Sequence, residues 1–318
     1  MQIAMSRRKV ITLCAAAGGA ALVPLGAVRR ADAQPLVEWT GVSLGAIATL
    51  RLAHPDRQMG EALLRRAVAE ARRLEGILSL YRDDTALSEL NRSGVLVAPP
   101  AELVQLLRLC DNIWHMTGGA FDPTVQPLWR CYADHFATPG ADPAGPPSHE
   151  ITAAVARVGW RDVHVSRDRI AFAKRGMGLT LNGIAQGYIT DRVVDLLRQE
   201  GIVSALVDMG EIRTRGPRPD GQPWQAEVDA LASARRTLDL VDMAVATTGA
   251  HGFRFDAEGR CNHLFNPATG RCANPTTRLS VVAPTAAAAD ALSTAFAFMD
   301  REAIGRVLAR MPDTRLLA

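Results

Sequence analysis

Pro284–Asp300 reads PTAAAADALSTAFAFMD. Asp290 and Thr294 stand four residues apart in an alanine-rich run, so on a helix both oxygens share one face, one turn apart. A carboxylate beside a hydroxyl, with small neighbours, suits a hard cation that must also reach a phosphate. The run follows a strand-like segment, Leu279–Ala283, and precedes a second helical segment around Ala303. That alternation continues upstream. Val163–Ser166, Ile170–Ala173, Leu179–Leu181, Val203–Val207, Ile212–Arg215, Gln225–Val228, Thr237–Val241 and Val245–Thr248 read as strands, and Ile184–Gln199 as a helix stopped by Gly201. Nearer the N-terminus, Trp39–Ala53 reads as a strand pair or bent strand. Gln58–Leu80 and Ala101–Met116 read as amphipathic helices, Arg82–Pro100 and Gly118–Pro127 as loops, and Pro139–Pro147 as a surface insertion. The class is α+β, with strands and helices mixed and not strictly βαβ. A dinucleotide-binding Rossmann turn, G-x-G-x-x-G, is missing.

The first 33 residues read as a targeting segment. Ser6-Arg7-Arg8-Lys9-Val10 carries the paired arginines of a twin-arginine export signal. Val10–Val28 is apolar, and Ala31-Asp32-Ala33 offers a cleavage site. The alanines, glycines and proline of Ala15–Ala27 make a poor membrane anchor. The expected organisation is therefore a signal over residues 1–33 and one domain over 34–318, delivered to the periplasm and not inserted in the membrane after cleavage. The whole chain has 36 basic and 33 acidic residues, net +3. Removing five basic and one acidic residue with the signal leaves 31 and 32, net −1. Nothing in that balance argues for nucleic acid or an anionic membrane surface. The apolar content of 48% fits a globular fold. Cys110, Cys131, Cys261 and Cys272 form no C-x-x-C pair, which argues against zinc. Cys261 and Cys272 bracket a short loop; a disulfide in an oxidising compartment and two free buried thiols both fit.

Three further segments carry chemistry. In Thr117–Thr124, TGGAFDPT, two glycines and an alanine leave backbone amides open to a close ligand. Phe121 is placed to stack on a planar ring and Asp122 to accept from ribose or base, although a helix end followed by an Asp-Pro turn has the same pattern. In Leu179–Tyr188, LTLNGIAQGY, a sharp Asn-Gly turn opens a helix whose free amides suit a phosphate. In His263–Gly270, HLFNPATG, a histidine leads into a turn where it can move protons near neutral pH. The other histidines have no comparable setting.

Together, in this order and spacing, these segments resemble the ApbE family of flavin transferases. The resemblance runs from Thr40 to the C-terminal helices. It includes Leu44-Gly45-Ala46 where the family has Met-Gly-Thr, Ser79-Leu80-Tyr81, Ser88-Glu89-Leu90 with Asn91, and an intact Gly119–Thr124. Met209-Gly210-Glu211-Ile212, Thr247-Thr248-Gly249 and an intact Asp290–Thr294 follow, and the element at His263 has Asn266 in place of Asp. One departure is larger. The family's Leu-Asp-Leu-Gly-Gly-Ile-Ala-Lys-Gly reads here Leu-Thr-Leu-Asn-Gly-Ile-Ala-Gln-Gly, so Thr180 and Gln186 replace a carboxylate and a lysine together. This version resembles the branch linked to nitrous-oxide reductase maturation, whose acceptor is a membrane-bound flavoprotein.

The resemblance implies a T-fold-like, two-lobed single unit of mixed and antiparallel sheets with packed helices. It implies a transferase that splits FAD and links FMN to a threonine of an exported or membrane-bound acceptor flavoprotein, releasing AMP. It further implies Mg²⁺ on Gly183, Asp290 and Thr294, and catalysis by His263 and Asp290. FAD contacts are implied at Leu44, Tyr81, Ala120, Phe121, Asp122, Thr180, Gln186, Leu264 and Ser293. Two other readings use the same residues: a Mg²⁺-dependent FAD diphosphatase, with water as nucleophile, and a non-catalytic FAD carrier or assembly factor.

Overall fold

The computed structural model describes residues 20–22, 34–43, 46–229 and 235–317. Of the targeting segment only β1 (Ala20–Leu22) is described, paired antiparallel with residues 226–228. The rest of that segment lies outside the described residues, as do Leu44 and Gly45.

A seven-stranded sheet organises the chain. Its strands are β2 (Leu36–Ser43), β3 (Ala46–Ala53), β7 (Ala205–Asp208), β8 (Ile212–Arg215), β11 (Ala244–Gly249), β12 (Arg278–Ala283) and β13 (Arg315–Leu317). Their order across the sheet is β13-β12-β11-β8-β7-β3-β2. β4 (Val95–Val97), β5 (Val163–Val165) and β6 (Arg169–Phe172) form one three-stranded sheet; β9 (Trp224–Asp229) and β10 (Arg235–Leu240) join β1 in another. Every pairing among the described strands is antiparallel.

The large sheet is apolar on both faces, and the period-two rule sorts its residues. Ala205, Val207, Ala246, Val281 and Ala283 face the main core. Their neighbours Leu206, Val245 and Val282 face a smaller core with Trp224, Ala226 and Leu240. Over the main core lie α1 (Arg57–Leu78), α6 (Ala185–Gln199) and α7 (Ala286–Phe296). Asp56 caps α1 by accepting from the Gln58 and Met59 amides. No helix among the described residues is long and apolar enough to cross a membrane.

Arg82–Pro100, expected as loop, holds α2 (Ala86–Ser93) and β4. Thr85 caps this helix through the Ser88 amide and Gly94 ends it at φ 76°. Only Leu87 and Leu90 of the helix are buried, too few to give a periodic signal. Leu179–Leu181, expected as a strand, joins no sheet among the described residues. The Leu179 amide donates to Asn91 Oδ1 at 2.7 Å, Asn91 Nδ2 donates to the Leu179 carbonyl at 2.8 Å, and the Thr180 amide donates to the Pro123 carbonyl at 2.8 Å. One side chain thus supplies the two bonds a strand partner would give. Sequence reading also passed over α4 (Gln126–Ala137) and α5 (Ser148–Val155), which follow α3 (Ala101–Met116) and flank the expected Pro139–Pro147 insertion. A final helix, α8 (Arg301–Ala309), precedes β13. Cys110, Cys131, Cys261 and Cys272 are all free thiols.

Candidate active site

The alanines of α7 are explained by what they touch. α6 crosses α7 at Gly187, where a Cβ would lie 2.4 Å from the Ala286 carbonyl oxygen. Only a glycine facing alanines permits so close an approach of two backbones. Asp191, one turn further along α6, accepts from the Ala286 and Ala287 amides at 2.8 and 2.9 Å and from Arg213 Nη1 at 2.7 Å. A carboxylate at a helix N-terminus satisfies donors that have no partner inside the helix. It pins α7 in register against α6.

That register brings the metal-site candidates together. The Gly187 amide, in the first turn of α6, donates to Asp290 Oδ2 at 3.3 Å. Gly183, in the turn before α6, stands against Thr294; a Cβ on it would come 3.0 Å from Thr294 Oγ1. Thr248 Oγ1 lies 2.6 Å from Ser293 Oγ and 3.3 Å from Thr294 Oγ1, which fixes the hydroxyl beside the carboxylate. The donor set at this corner is one carboxylate, one hydroxyl and a turn carbonyl, all hard oxygens. It fits Mg²⁺, which keeps waters and phosphate oxygens for the rest of its shell. Among the described residues no group of three or more His, Cys, Asp or Glu side chains forms a metal cage, so this cation would be shared with a ligand.

Gly183, Asp290 and Thr294 line one cavity with Tyr81, Ala120, Phe121, Asp122, Thr180, Gln186, His263 and Leu264. Ser293 does not line it: its hydroxyl is wholly buried, donating to the Asp290 carbonyl at 2.8 Å beside Thr248. Asp122 reaches the cavity edge with its carboxylate already occupied. Oδ1 accepts from the Thr124 amide and hydroxyl at 2.8 and 2.5 Å, and Oδ2 from Trp114 Nε1 and the Trp160 amide at 3.1 and 3.2 Å. Asn266, which replaces an acid in the family pattern, accepts from the Ala268 and Thr269 amides and so makes the turn an aspartate would make.

His263 is half-buried and lines the same cavity. Its Nδ1 is 3.2 Å from both the Phe253 carbonyl oxygen and the Phe253 amide. In the tautomer that donates Nδ1–H to the carbonyl, Nε2 carries the free lone pair. Burial pushes the imidazole down to about 4, with nearby His251 acting the same way against the Phe253 bond; it is neutral at physiological pH. Asp290 is pushed the other way, up to about 8, by burial and then by Asp191, against the Gly187 bond. Burial raises Glu211 well above the carboxylate range, reinforced by Asp290 and Asp208, and Asp208 rises to about 6 for the same first reason.

Sequence reasoning assigned no role to Glu211, Asn182 or Thr248. Asn182 Nδ2 donates to the Tyr81 hydroxyl at 2.7 Å and ties the turn before α6 to the cavity rim. An acid following a glycine between two apolar strands was the available signal for Glu211.

The sequence pattern of the ApbE family matches residues 44–317, and the chain belongs to that family. Among related proteins, the FAD:protein FMN transferase of Klebsiella pneumoniae is 26% identical over 281 residues, 84% of this chain and 80% of its own. The Treponema pallidum protein of the same description is 30% identical over 250 residues, covering 70% and 67%. Among solved structures, the Pseudomonas stutzeri flavinyl transferase ApbE, apo form, matches with TM-score 0.74 at 26% identity, over 89% of this chain and 90% of that one. The ApbE protein from Thermotoga maritima matches in fold with TM-score 0.75 at 24% identity, over 89% and 93%.

Proposed function

We propose that this protein is a Mg²⁺-dependent FAD:protein FMN transferase acting on a threonine of an exported acceptor protein. The observation that carries the reading is one cavity lined both by the hard-oxygen set Gly183, Asp290 and Thr294 and by a neutral histidine, His263. In the proposed reaction the acceptor threonine Oγ attacks the FMN phosphorus of FAD. A phosphoester bond forms, the bond to the bridging oxygen breaks, and AMP leaves with that oxygen.

Gly183, Asp290 and Thr294 would hold Mg²⁺, which would neutralise charge on the diphosphate oxygens as AMP departs. Thr248 keeps the Thr294 hydroxyl in place, and the first-turn amide of Gly187 orients the Asp290 carboxylate. His263 accepts the threonine proton at Nε2 while Nδ1–H stays on the Phe253 carbonyl. A positioned base matters because a threonine hydroxyl is a weak nucleophile. Phe121, Ala120, Leu264 and Tyr81 offer apolar and aromatic surface to the rings of the dinucleotide. Export by the twin-arginine route belongs to the same proposal and is supported by Ser6–Val10 and Ala31–Ala33. The branch resemblance of the Asn-Gly-Ile-Ala-Gln-Gly segment supports a membrane-bound acceptor of the nitrous-oxide reduction system.

Purified residues 34–318, incubated with FAD, Mg²⁺ and an acceptor domain carrying a threonine flavinylation motif, should add one FMN to the acceptor threonine and release AMP, both read by mass spectrometry. A chelator should stop both. Free FMN and AMP without adduct would make the protein a diphosphatase. Intact bound FAD under every divalent ion would make it a carrier.

A further inference from the structure

Cys261 and Cys272 meet in one small core with Tyr132, Phe255 and Phe265. Cys272 Sγ donates at 3.2 Å to the carbonyl of Asn262, the residue next to Cys261. The two thiols are hydrogen-bonding neighbours of each other, and both face Tyr132. Gly145 closes that side: a Cβ on it would lie 3.1 Å from Cys261 Sγ and 3.7 Å from the Tyr132 ring. Cys110 and Cys131 are placed differently. Cys110 is wholly buried in the main core, and Cys131 lines a surface groove with Arg130, Glu150 and Arg157.

What the pair spans gives it a use. Phe265 and Cys272 form an isolated antiparallel bridge. Beside it the Ala273 amide donates to the Leu264 carbonyl at 2.9 Å and the Asn266 amide to the Arg271 carbonyl at 2.8 Å. This short hairpin brings His263 and Leu264 to the cavity, and it joins no sheet among the described residues. A hairpin of two short strands is marginal without further support. A covalent tie between Cys261 and Cys272 would fix the segment from which His263 projects. Burial raises both thiols, Cys272 to about 12. Thiolate is therefore scarce, which slows exchange and shelters a bond once it has formed.

The geometry points to a disulfide between Cys261 and Cys272 that clamps the hairpin carrying His263. It forms by exchange with a small-molecule or protein disulfide, the class of oxidant that an oxidising compartment supplies. One cysteine attacks the oxidant and forms a mixed disulfide. The other attacks that sulfur and closes the bond, and the oxidant leaves as two thiols that carry both electrons and both protons. The cross-link does not depend on which flavin reaction the cavity performs.

The test incubates the folded full chain with oxidised glutathione, blocks the remaining thiols in denaturant and digests with trypsin without reductant. Cleavage after Arg260, Arg271 and Arg278 puts the two cysteines on separate peptides. The bond should appear in the mass spectrum as residues 261–271 joined to 272–278, two hydrogens lighter than their sum. Oxidation should raise Tm by about 5 °C, and dithiothreitol should return it. Cys261→Ser and Cys272→Ser should each remove both the joined peptide and the redox-dependent change in Tm. The Tm comparison is made on wild type against itself, so a variant that folds poorly leaves the result standing. Both cysteines recovered as blocked thiols, or joined to glutathione or to Cys131 instead, overturns the inference. So does a joined peptide with Tm unchanged, because that bond would clamp nothing.

Discussion

Asp122 and Asp290 are both buried carboxylates on one cavity, and they are treated in opposite ways. Asp122 accepts four hydrogen bonds, from Trp114, Thr124 twice and Trp160. Asp290 accepts one through its side chain, from Gly187, and neighbouring Glu211 keeps a free oxygen. Burial raises all three. What separates them is how much hydrogen-bonding capacity the fold has already used. A saturated carboxylate joins α3, the Asp-Pro turn and the Trp160 segment; an under-coordinated one is reserved for something that arrives.

The largest expected effect lies on the reserved side. Asp290→Ala should lower Mg²⁺-dependent FMN transfer about a thousandfold, several kcal/mol of charge stabilisation, while the ligand-free protein melts no lower than wild type. Unchanged transfer would remove Asp290 from the metal corner. His263→Ala should cost about a hundredfold in kcat, the low end of the range for a general base, because its basicity is pushed down. FAD affinity should stay within about threefold of wild type; a loss confined to affinity would contradict the proton-transfer role.

Next comes a pH effect of definite sign. With its carboxyl pushed up to about 8, folded Asp290 keeps a proton that the unfolded chain releases near pH 4. The metal-free protein therefore loses this contribution to stability as pH rises from about 4 through 8. Mg²⁺ must displace the same proton, so the Mg²⁺ concentration for half-maximal activity should fall about tenfold per pH unit between 6 and 8. A flat profile would show Asp290 ionised throughout.

The saturated side predicts the reverse pattern. Asp122→Asn should destabilise the fold by about 1–3 kcal/mol in denaturant unfolding, with transfer per folded molecule nearly retained. Loss of FAD binding without loss of stability would make Asp122 a ligand contact after all. The smallest effect is expected at Ser293→Ala, about 1 kcal/mol of stability and no change in KM for FAD.

Legibility followed the same division. Asp290 and Thr294 were readable because four residues on a helix is a local distance, fixed by 3.6 residues per turn. Their meeting with Gly183 was readable only through resemblance, since it depends on the Gly187 crossing and the Asp191 contact with α7. α2 escaped because it buries two leucines in eight residues, and Leu179–Leu181 passed for a strand because Asn91 replaces the ladder. Ser293 was implied as a ligand contact by the resemblance alone; the helix turns its hydroxyl towards Thr248.

By itself the sequence determined the α+β class, the strands of the large sheet other than β13, the α7 pair and the histidine leading into its turn. Each follows from periodicity or from backbone preferences within a few residues. Tertiary structure decided which buried acids are spent and which are open, because hydrogen-bond saturation depends on donors brought from far along the chain. Trp160 reaches Asp122 across 38 residues, and Gly187 reaches Asp290 across 103.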